Sequence, residues 1–565
     1  MSAAMTGVTT AALGLVPLFH RVDEAALATL IRESSSRQLE AGEWLFHEGD
    51  DADRLFVVLS GRLRIVVTRE SEQRTVRELG PGAALGELAL LTGSARSAGV
   101  QAVRDSQLLE IARPSFDGLL ASDPAFGHAL ATELARQLQA SGGLEEPRGQ
   151  ARVFSILAAS AAVDITPFGR TLAAELGGER AVATLSGAED PADWIAALAR
   201  AESAAQNVVL LGDHHGPSSE WNGFVRRHGD RLLLVAGADT AVSADEAVTD
   251  LVLLGPTPAG RTAQWLDAVS PGTHHVVDEG SYASDVGRVA RRVSGRSLGL
   301  VLSGGGARCL AHIGVIKAFA EAGIVIDRLG GCSMGAFVAG SAALGLDADQ
   351  LRAVCQSELV ERSPFSDWTL PRIALTRTRR AEKMLRRVFG DMQVEELSRP
   401  LYTVSADLVS SEAVVHRTGP LFEAVGISMS IPGLVPPVGK DGRLLVDGGV
   451  LNNLPVDTMY DHAEGPIIAV DVARRHERDP GESVRIPSIM ETMARSTILG
   501  SGERSERNRK LATLVISPAA QDIGLREFRA LDRAIAAGYE AASAALADGG
   551  ADLLAGARRG DPPAT

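Results

Sequence analysis

The sequence predicts a multidomain fold with an N-terminal β-barrel or jelly roll, a middle α/β domain and a C-terminal α/β domain. The chain has 565 residues, and single hydrophobic cores stop growing near about 250–300 residues. The first part alternates short apolar segments with glycine turns, which is typical of small β-barrels and jelly rolls. Further along, apolar strand-like runs alternate with helical ones, which predicts parallel sheets covered by helices.

Composition narrows the partners and the compartment. The formal net charge is −15, whereas phosphate-binding surfaces need clustered Lys and Arg, so nucleic acid is excluded as the main partner. The three cysteines, Cys309, Cys332 and Cys355, show no zinc-ligand spacing, and their odd number fits a reducing compartment. No basic signal-peptide region and no apolar run of about 20 residues is present. We expect a cytoplasmic protein, with peripheral contact at the inner face of a membrane as a further option.

The first predicted domain spans residues 1–145 and consists mainly of short strands. A helix at Asp23–Arg32 precedes these strands, and turns such as Ser60–Gly61 separate them. A helix at Ala125–Ala140 closes the domain, and Ser141–Pro147 is predicted to be a linker. The predicted strands are Glu43–Phe46, Arg54–Leu59, Leu63–Thr68 and Arg74–Leu79.

The other two predicted domains, residues 150–296 and 297–555, each alternate strands with helices. The middle domain contains no phosphate-binding loop and receives no predicted role; the tail from Ala555 is predicted to be disordered. The middle domain has predicted strands at Val153–Ala158, Val208–Leu211, Leu232–Val235 and Leu251–Leu254, and helices at Arg170–Leu176, Asp193–Ala204 and Thr262–Val269. The third opens with a strand at Leu298–Leu302, a helix at Cys309–Ala322, a strand at Ile324–Asp327 and a helix after Ser333.

A candidate anion site lies in the first domain. Glu87 and Arg96 lie nine residues apart and flank a leucine-rich turn. A buried arginine suits a phosphate because its planar fork donates several hydrogen bonds at once. A carboxylate suits a ribose hydroxyl as a fixed acceptor. These two residue types at this spacing therefore favour a cyclic nucleotide as ligand.

This segment resembles the phosphate-binding cassette of the cyclic-nucleotide-binding domains in catabolite activator proteins and protein kinase regulatory subunits. The resemblance covers roughly residues 13–140 and includes the turn Gly49–Asp50. It implies that Glu87 holds the ribose, that Arg96 with Ser97 holds the phosphate, and that Gly86 belongs to the same site. The ligand is then cAMP or cGMP; the ordinary alternative is a domain that keeps the fold and binds nothing.

Three glycine-containing motifs in the third domain suit acyl-transfer chemistry together. The first can turn several amides toward a developing oxyanion. The second is a G-x-S-x-G nucleophile elbow that exposes a serine between a strand and a helix. The third leaves a carboxylate free to approach another backbone. In chain order they are Gly304-Gly305-Gly306-Ala307-Arg308, Gly331-Cys332-Ser333-Met334-Gly335 and Asp447-Gly448-Gly449.

The three motifs resemble those of the patatin-like phospholipases, and most closely their neuropathy target esterase branch, over about residues 298–550. Further matching stretches are Ser428–Gly433 and Val450–Pro455, and one departure is Cys309, where the family's glycine run has Gly. The resemblance implies a patatin-like α/β hydrolase domain in which Ser333 is the nucleophile and Asp447 its base. The predicted oxyanion hole consists of Gly304, Gly305 and Gly306 with Arg308, and Gly331 and Gly335 frame the elbow. Lysophospholipids or other glycerolipid esters are the expected substrates, with no cofactor required and no metal.

Other interpretations of the motif residues and of the histidines are less well supported by the sequence. Strand, Gly304-x-Gly306, helix, strand and Asp327 imitate a dinucleotide fingerprint, but Cys309 replaces its third glycine. His462 follows Asp447 in the order of a Ser–His–Asp triad, although the resemblance supplies no histidine. The pairs His214–His215 and His274–His275 lack a cysteine at ligand spacing, so a metal is not expected there.

The sequence alone does not decide the role of two further segments. The basic segment Arg372–Arg387, with interleaved apolar residues, fits a lid, an anionic-lipid contact or a solvated helix face with ion pairs. The loop Ile431–Pro437 fits either an acyl pocket or ordinary packing.

For the whole chain, the leading hypothesis is a lipid esterase regulated by a cyclic nucleotide. The alternative is a cyclic-nucleotide-binding scaffold with an inactive hydrolase fold. A transcription factor would need a basic helix-turn-helix after residue 140, which the sequence lacks.

Overall fold

In the computed structural model, the chain divides into two compact units: Met1–Ala173 with Glu179–Leu234, and Ala174–Gly178 with Val235–Thr565. The predicted domain boundaries stay a prediction. The structure describes residues 22–69, 72–124, 152–177, 182–187, 190–215, 219–237, 248–255, 260–370, 372–460, 464–473 and 499–550, together with isolated positions between these ranges.

The N-terminal sheet is an antiparallel jelly roll of short and long strands. Its residues alternate between two apolar clusters, with Leu55 and Val57 in one and Phe56 and Val58 in the other. The strands are β1 (Ser35–Leu39), β2 (Trp44–Phe46), β3 (Arg54–Arg69), β4 (Glu72–Leu79), β5 (Ala84–Leu85) and β6 (Gly99–Ala112). The helices are α1 (Glu24–Glu33), α2 (Glu87–Thr92) and α3 (Arg113–Ser122).

The predicted turn at Ser60–Gly61 is wrong, because β3 continues through it. β6 pairs with β3 along this length, with register shifts around Ser60. At the irregularity the Arg62 amide donates to the hydroxyl of Ser106 at 3.0 Å, which replaces a ladder bond. Of the predicted helix at 125–140, the described positions 126, 127 and 129–131 are helical; its other positions and the whole predicted linker lie outside the described residues.

The middle region is a six-stranded sheet in the order β12-β11-β10-β7-β9-β8. The β7–β9, β8–β9 and β11–β12 pairings are parallel, in agreement with the predicted α/β layer. The strands are β7 (Val153–Ala158), β8 (Val182–Leu185), β9 (Asn207–Leu211), β10 (Arg231–Gly237), β11 (Asp250–Leu254) and β12 (Thr273–Val277). The helices are α4 (Thr166–Gly177), α5 (Trp194–Ala204), α6 (Glu220–His228), α7 (Arg261–Val269) and α8 (Tyr282–Val293).

A cluster of buried charges joins the jelly roll to the following strands within the first unit. The Arg104 guanidinium donates to the Glu202 carboxylate at 2.5 Å and to the His228 carbonyl at 2.5 Å. Arg104 and Arg62 both form ion pairs with the same carboxylate oxygen of Asp230, at 3.1 and 3.0 Å. Removing one charge would therefore leave its partners buried and unbalanced.

The C-terminal sheet has eight strands in the order β17-β18-β15-β14-β13-β19-β20, with β16 also paired to β15. Its strands are β13 (Gly299–Leu302), β14 (Arg328–Cys332), β15 (Leu401–Asp407), β16 (Ala413–His416), β17 (Val438–Lys440), β18 (Arg443–Asp447), β19 (Ile467–Val470) and β20 (Leu514–Ile516). The helices used below are α9 (Ala311–Glu321), α10 (Met334–Ala343), α11 (Ala348–Cys355), α12 (Arg379–Phe389), α13 (Leu421–Ser428), α14 (Val456–Tyr460), α15 (Gly502–Leu511) and α16 (Leu531–Ala545).

The predicted strand at Ile324–Asp327 is misplaced, because β14 begins only at Arg328. Asp327 instead ends the connection: its carboxylate accepts the Leu298 amide at 3.1 Å and the guanidinium of Arg291 at 2.7 Å. The predicted helix at 309–322 is likewise shorter, because a 3₁₀ turn at Gly306–Leu310 precedes α9.

Helices α9 and α16 pack backbone against backbone. A Cβ atom on Gly314 of α9 would collide with the carbonyl of Ile535, and one on Gly538 of α16 would collide with the carbonyl of Ala311. Only glycine permits so close an approach. Helix α16 therefore packs directly against α9, the helix that follows the glycine-rich loop, and fixes its position.

Candidate active site

The C-terminal sheet brings two strand ends together head-on. Ser405 of β15 pairs with Val414 of β16 and with Asp447 of β18, so β16 and β18 lie on opposite sides of β15. Val404 pairs with Val415 of β16 and with Cys332 of β14, so β14 lies on the same side as β18. The antiparallel β18 thus ends where the parallel β14 ends. This topology places Asp447 level with Ser333, the residue after β14.

The serine itself sits on a sharp turn between β14 and α10. Ser333 has φ 55° and ψ −130°, a backbone conformation that costs free energy for any residue with a side chain. A Cβ on Gly335 would lie 2.5 Å from the carbonyl oxygens of Leu302 and Ser303, and one on Gly331 would lie 2.7 Å from the Gly335 backbone. The two elbow glycines are therefore required for helix and strands to approach each other.

The predicted nucleophile and base are in direct contact. The hydroxyl of Ser333 donates to Oδ2 of Asp447 at 2.6 Å, and the amide of Gly449 donates to Oδ1 at 2.8 Å. The Cys332 thiol lies 3.8 Å from Oδ1. Burial raises the pKa of Asp447 from 3.8 to about 6, although the Ser333 hydroxyl and the Gly449 amide oppose the shift. This carboxylate is a stronger base than an exposed aspartate and is still ionised at neutral pH.

The glycine-rich loop lies beside this pair. The position of a Cβ on Gly304 is 3.0 Å from Cβ of Ser333. The Gly304 amide donates a hydrogen bond to the carbonyl of Asn453 at 3.2 Å. Within the described part of the chain, the amides of Gly305 and Gly306 donate to no protein acceptor. These two amides are therefore the donors that the loop leaves available for an anion.

Arg308, which the sequence analysis placed in the oxyanion hole, bonds backbone carbonyl groups of a distant segment. Its guanidinium donates to the carbonyls of Ile523 at 2.8 Å and Gln521 at 3.1 Å. The next amide upstream, that of Ala307, donates to the carbonyl of Leu525 at 2.9 Å. The loop is thus tied to the segment 521–525. Cys309 is buried beside it, and its thiol contacts the Ser303 carbonyl at 3.3 Å.

Two residues at the site were not assigned roles from the sequence. Ser428, at the end of α13, accepts the Ser333 amide at 2.9 Å and donates to the Val404 carbonyl at 2.6 Å, which ties the elbow to β15. Asn453 donates its side-chain amide to the Gly304 carbonyl at 3.2 Å. Both belong to stretches that matched the family motifs, and that match was the available signal.

None of the described histidines contacts Ser333. His312 is fully buried, its ring bonds the Ser303 carbonyl at 3.0 Å, and burial lowers its pKa to about 4. His416 contacts Ser405 at 2.7 Å instead. His462 lies outside the described residues. His275 and His274 contact Asp250 and the Glu395 carbonyl, and no three metal-ligating side chains cluster anywhere among the described residues.

The predicted nucleotide pocket also brings its anchors together. Glu87 and Arg96 are both buried, and the Arg96 guanidinium stacks on the Phe46 ring at 4.2 Å. It donates to the Arg54 carbonyl at 2.9 Å and to the Gly86 carbonyl at 3.4 Å. Burial lowers the pKa of Arg96, while the charges of Asp53 and Glu87 oppose this.

The Gly49 amide donates to the Arg96 carbonyl at 2.8 Å, and the Arg96 amide donates to the Asp50 carbonyl at 2.9 Å. Ser97 is exposed. Among the described residues no carboxylate forms an ion pair with Arg96. The guanidinium is therefore held by carbonyl groups and an aromatic face, and not by an ion pair with a described carboxylate.

Comparison with known proteins identifies the class that these two sites define. The family profile described as "Patatin-like phospholipase" matches residues 300–460, and the profile described as "Cyclic nucleotide-binding domain" matches residues 36–123. The predicted multidomain fold and the predicted enzyme class, a patatin-like phospholipase, are thereby confirmed. In the described residues no helix combines the length and the apolar character needed to cross a bilayer.

Full-length relatives then give the particular family. An uncharacterized NTE family protein of Mycobacterium tuberculosis is 34% identical over 95% of this chain and 96% of its own length. The chain belongs to the neuropathy target esterase (NTE) family. A lysophospholipase of Neosartorya fischeri is 27% identical over 89% of this chain, which spans only 41% of that longer protein. The cAMP-bound regulatory domain of Toxoplasma gondii protein kinase A is 38% identical over 19% of this chain and 42% of its own, with a TM-score of 0.19.

Proposed function

We propose that the protein hydrolyses acyl esters of lysophospholipids and related phospholipids through a Ser333–Asp447 dyad. The observation that carries this proposal is the 2.6 Å hydrogen bond between a strained, elbow-borne serine and a buried carboxylate. The name of the fungal relative, a lysophospholipase, supports the substrate class. The alternative, an inactive scaffold, gives no reason for a raised aspartate pKa beside a serine hydroxyl.

The proposed reaction has two steps. Asp447 takes the proton of the Ser333 hydroxyl while its oxygen attacks the ester carbonyl carbon. The amides of Gly305 and Gly306 hold the oxyanion, and the departing alcohol takes the proton from Asp447. Water then attacks the acyl-serine and loses a proton to Asp447; the Ser333 oxygen takes that proton from Asp447 as its bond to the acyl group breaks, and the fatty acid is released. Arg308 supports the loop rather than the oxyanion.

Fatty-acid release from lysophosphatidylcholine, together with fluorophosphonate labelling, tests this proposal. The wild-type protein should release fatty acid and become labelled, and Ser333→Ala should do neither. Ser341→Ala is the matched control, because this buried serine of α10 bonds only the Phe337 carbonyl. Labelling that persists in Ser333→Ala, or absent turnover with a folded wild-type chain, would contradict the dyad. The His462→Ala variant should keep esterase activity; loss of activity in this variant would instead support the Ser–His–Asp triad.

We further propose that the jelly roll binds a cyclic nucleotide through Arg96 and Glu87 and that binding regulates the esterase. The supporting observation is the buried guanidinium of Arg96, which has carbonyl and aromatic contacts and no ion pair among the described residues. Burying a charge is costly without an opposite charge, and a cyclic phosphate supplies one.

Titration calorimetry with cAMP and with cGMP tests the pocket, and esterase rates with and without nucleotide test the regulation. Arg96→Gln should weaken binding by roughly thirtyfold or more, as expected for loss of a buried charge-assisted contact. Arg64→Gln is the control, because this β3 arginine bonds only Gln101. Equal affinity in Arg96→Gln would remove the pocket, and equal rates at saturating nucleotide would remove the regulation.

A further inference from the structure

A hairpin-like loop, described at residues 367–370 and 372–377, projects two large aliphatic side chains into solvent. Trp368 and Thr376 form an antiparallel bridge, and the Thr369 amide donates to the Leu375 carbonyl at 3.0 Å. Beyond this bridge, 82% of Leu370 and 76% of Ile373 is exposed. Two large aliphatic groups close together at the tip of a loop form an exposed apolar patch, and such patches are typical of surfaces that contact a partner or a membrane.

The base of this loop is bonded to the segment that leads to the active site. The amides of Leu375 and Thr376 donate to the carbonyls of Gly433 and Leu434, each at 3.0 Å. A few residues upstream, the Ser430 carbonyl accepts the amide of Asp447 at 2.9 Å. The projecting tip is therefore attached, through backbone hydrogen bonds, close to the reacting carboxylate.

A second set of exposed aliphatic residues lies beyond the same edge of the sheet. β15 continues for three residues past Val404, the partner of Cys332, and ends at Asp407. Leu408 and Val409 follow it and are 48% and 71% exposed, and the Leu408 amide donates to the Leu444 carbonyl. Because β14 ends at Cys332, next to Ser333, Leu408 and Val409 lie beyond the strand ends that carry the active site.

The charge around the loop decides what this side contacts. In α12 the last-turn arginines are satisfied, with Arg386 bonded to Glu382 and Arg387 to Glu358. Arg372, Arg377 and Arg379 are exposed, and no carboxylate of the described chain pairs with them. Apolar tips flanked by unpaired arginines fit an anionic phospholipid surface, in a protein whose net charge of −15 would otherwise repel one.

We propose that the edge carrying Ser333 docks on an anionic lipid bilayer, with Leu370 and Ile373 inserted among the acyl chains and Arg372 and Arg377 on the headgroups. This inference rests on the proposed esterase function, because it supplies the surface from which the lipid substrate is taken. A bilayer fits better than a second copy of the chain, because separate aliphatic tips on loops insert between lipids, whereas a dimer interface needs a continuous complementary patch.

Sedimentation of the full-length protein with vesicles tests the proposal, using phosphatidylcholine alone and phosphatidylcholine mixed with phosphatidylglycerol. The wild type should bind the mixed vesicles more tightly, and added salt should weaken this binding. Ile373→Ser should weaken binding roughly tenfold, the loss expected for one large aliphatic group that no longer leaves water. Arg372→Gln should reduce the preference for the mixed vesicles roughly fivefold.

Ile195→Ser is the matched control, because Ile195 is 51% exposed on α5 of the other unit. Equal vesicle binding by Ile373→Ser and Ile195→Ser, or no binding by the wild type, would overturn the proposal. So would a wild-type dimer that Ile373→Ser converts to a monomer.

Hydrolysis of a soluble p-nitrophenyl ester separates this inference from the proposed function. Ile373→Ser should keep the rate on the soluble ester and lose rate on vesicle lipid. If the wild type hydrolyses neither substrate yet binds vesicles, the proposed function fails and the docking surface stands. If Ile373→Ser hydrolyses vesicle lipid at the wild-type rate, the docking inference fails alone.

Discussion

Asp447 and Asp230 are both carboxylates with buried side chains, and their surroundings differ in one respect. Asp230 lies between two guanidinium groups, those of Arg62 and Arg104, and accepts the Arg152 and Val153 amides at 2.8 and 3.0 Å. Asp447 has a hydroxyl, an amide and a thiol around it, and no arginine or lysine among its described contacts.

This difference separates a structural charge from a reactive one. A carboxylate between cations is stabilised as an anion and holds together the elements that carry them. A carboxylate buried without a cation keeps affinity for a proton, as the pKa of about 6 for Asp447 indicates. At Asp447 the fold tolerates that cost next to a serine hydroxyl whose proton the carboxylate can take.

The largest expected effect is that of Asp447→Asn, which should lower kcat by about 10²–10⁴-fold because the amide cannot accept a proton. The same change should stabilise the protein above pH 6. A buried acid with a raised pKa opposes folding wherever it is ionised, and the shift from 3.8 to about 6 corresponds to about 3 kcal/mol. Thermal unfolding at pH 8 and pH 4 should show a gain at pH 8 that vanishes at pH 4.

Asp230→Asn should do the opposite and destabilise the chain by about 1–3 kcal/mol, because Arg62 and Arg104 lose their shared anion and keep only Glu78 and Glu202 as ion-pair partners. Urea unfolding of the full-length protein measures this. Asp53→Asn is the control, since Asp53 pairs with Arg54 at 3.4 Å and is 74% exposed; its effect should stay below about 1 kcal/mol. Equal effects of the two substitutions would break the comparison.

Ser428→Ala should lower kcat/KM roughly 5–100-fold, because the Ser333 amide loses its buried acceptor, a loss of about 1–3 kcal/mol. The elbow then loses its bond to β15, while Ser333 and Asp447 remain. Rates of fluorophosphonate labelling measure the effect, with Ser341→Ala as control. An unchanged labelling rate would show that the turn is fixed by its glycines alone.

The smallest expected effect is the pH dependence of the wild type. Because Asp447 must be ionised to act as base, kcat/KM should rise through pH 6 and level off above it. One unit below the pKa, at about pH 5, the rate should be about tenfold below the plateau. A profile that is flat between pH 5 and 8 would show that a group other than Asp447 accepts the proton.

The sequence predicted the parts of this molecule in which short motifs impose local chemistry. The elbow glycines, Ser333 and Asp447 could be found because each requires a particular residue type at a fixed spacing. β14 was misplaced because its residues, Leu-Gly-Gly-Cys, have weak strand preference. Gly331 stands there because the elbow backbone passes close by, a tertiary requirement that outweighs propensity.

Long-range partners could not be predicted. The residues near Arg308 in sequence do not predict that its guanidinium bonds the carbonyls of Gln521 and Ile523. Those near Ser333 do not predict that its amide bonds the hydroxyl of Ser428. The continuous β3 was missed for the same reason: Gly61, with φ 96°, is a turn residue by local rules, and the pairing of the flanking residues with β6 carries the strand through this irregularity. Such contacts depend on topology rather than on periodicity.

The close backbone approach of α9 and α16, at Gly314 and Gly538, has a practical consequence for shortened versions of this protein. The family profile ends at residue 460, yet the sheet is completed by β19 and β20, and the helix after the glycine-rich loop rests on α16. A fragment trimmed to the profile would expose the apolar underside of that helix and the bare edge of β13. We expect such a fragment to aggregate on expression, whereas one that extends through residue 554 should stay in solution.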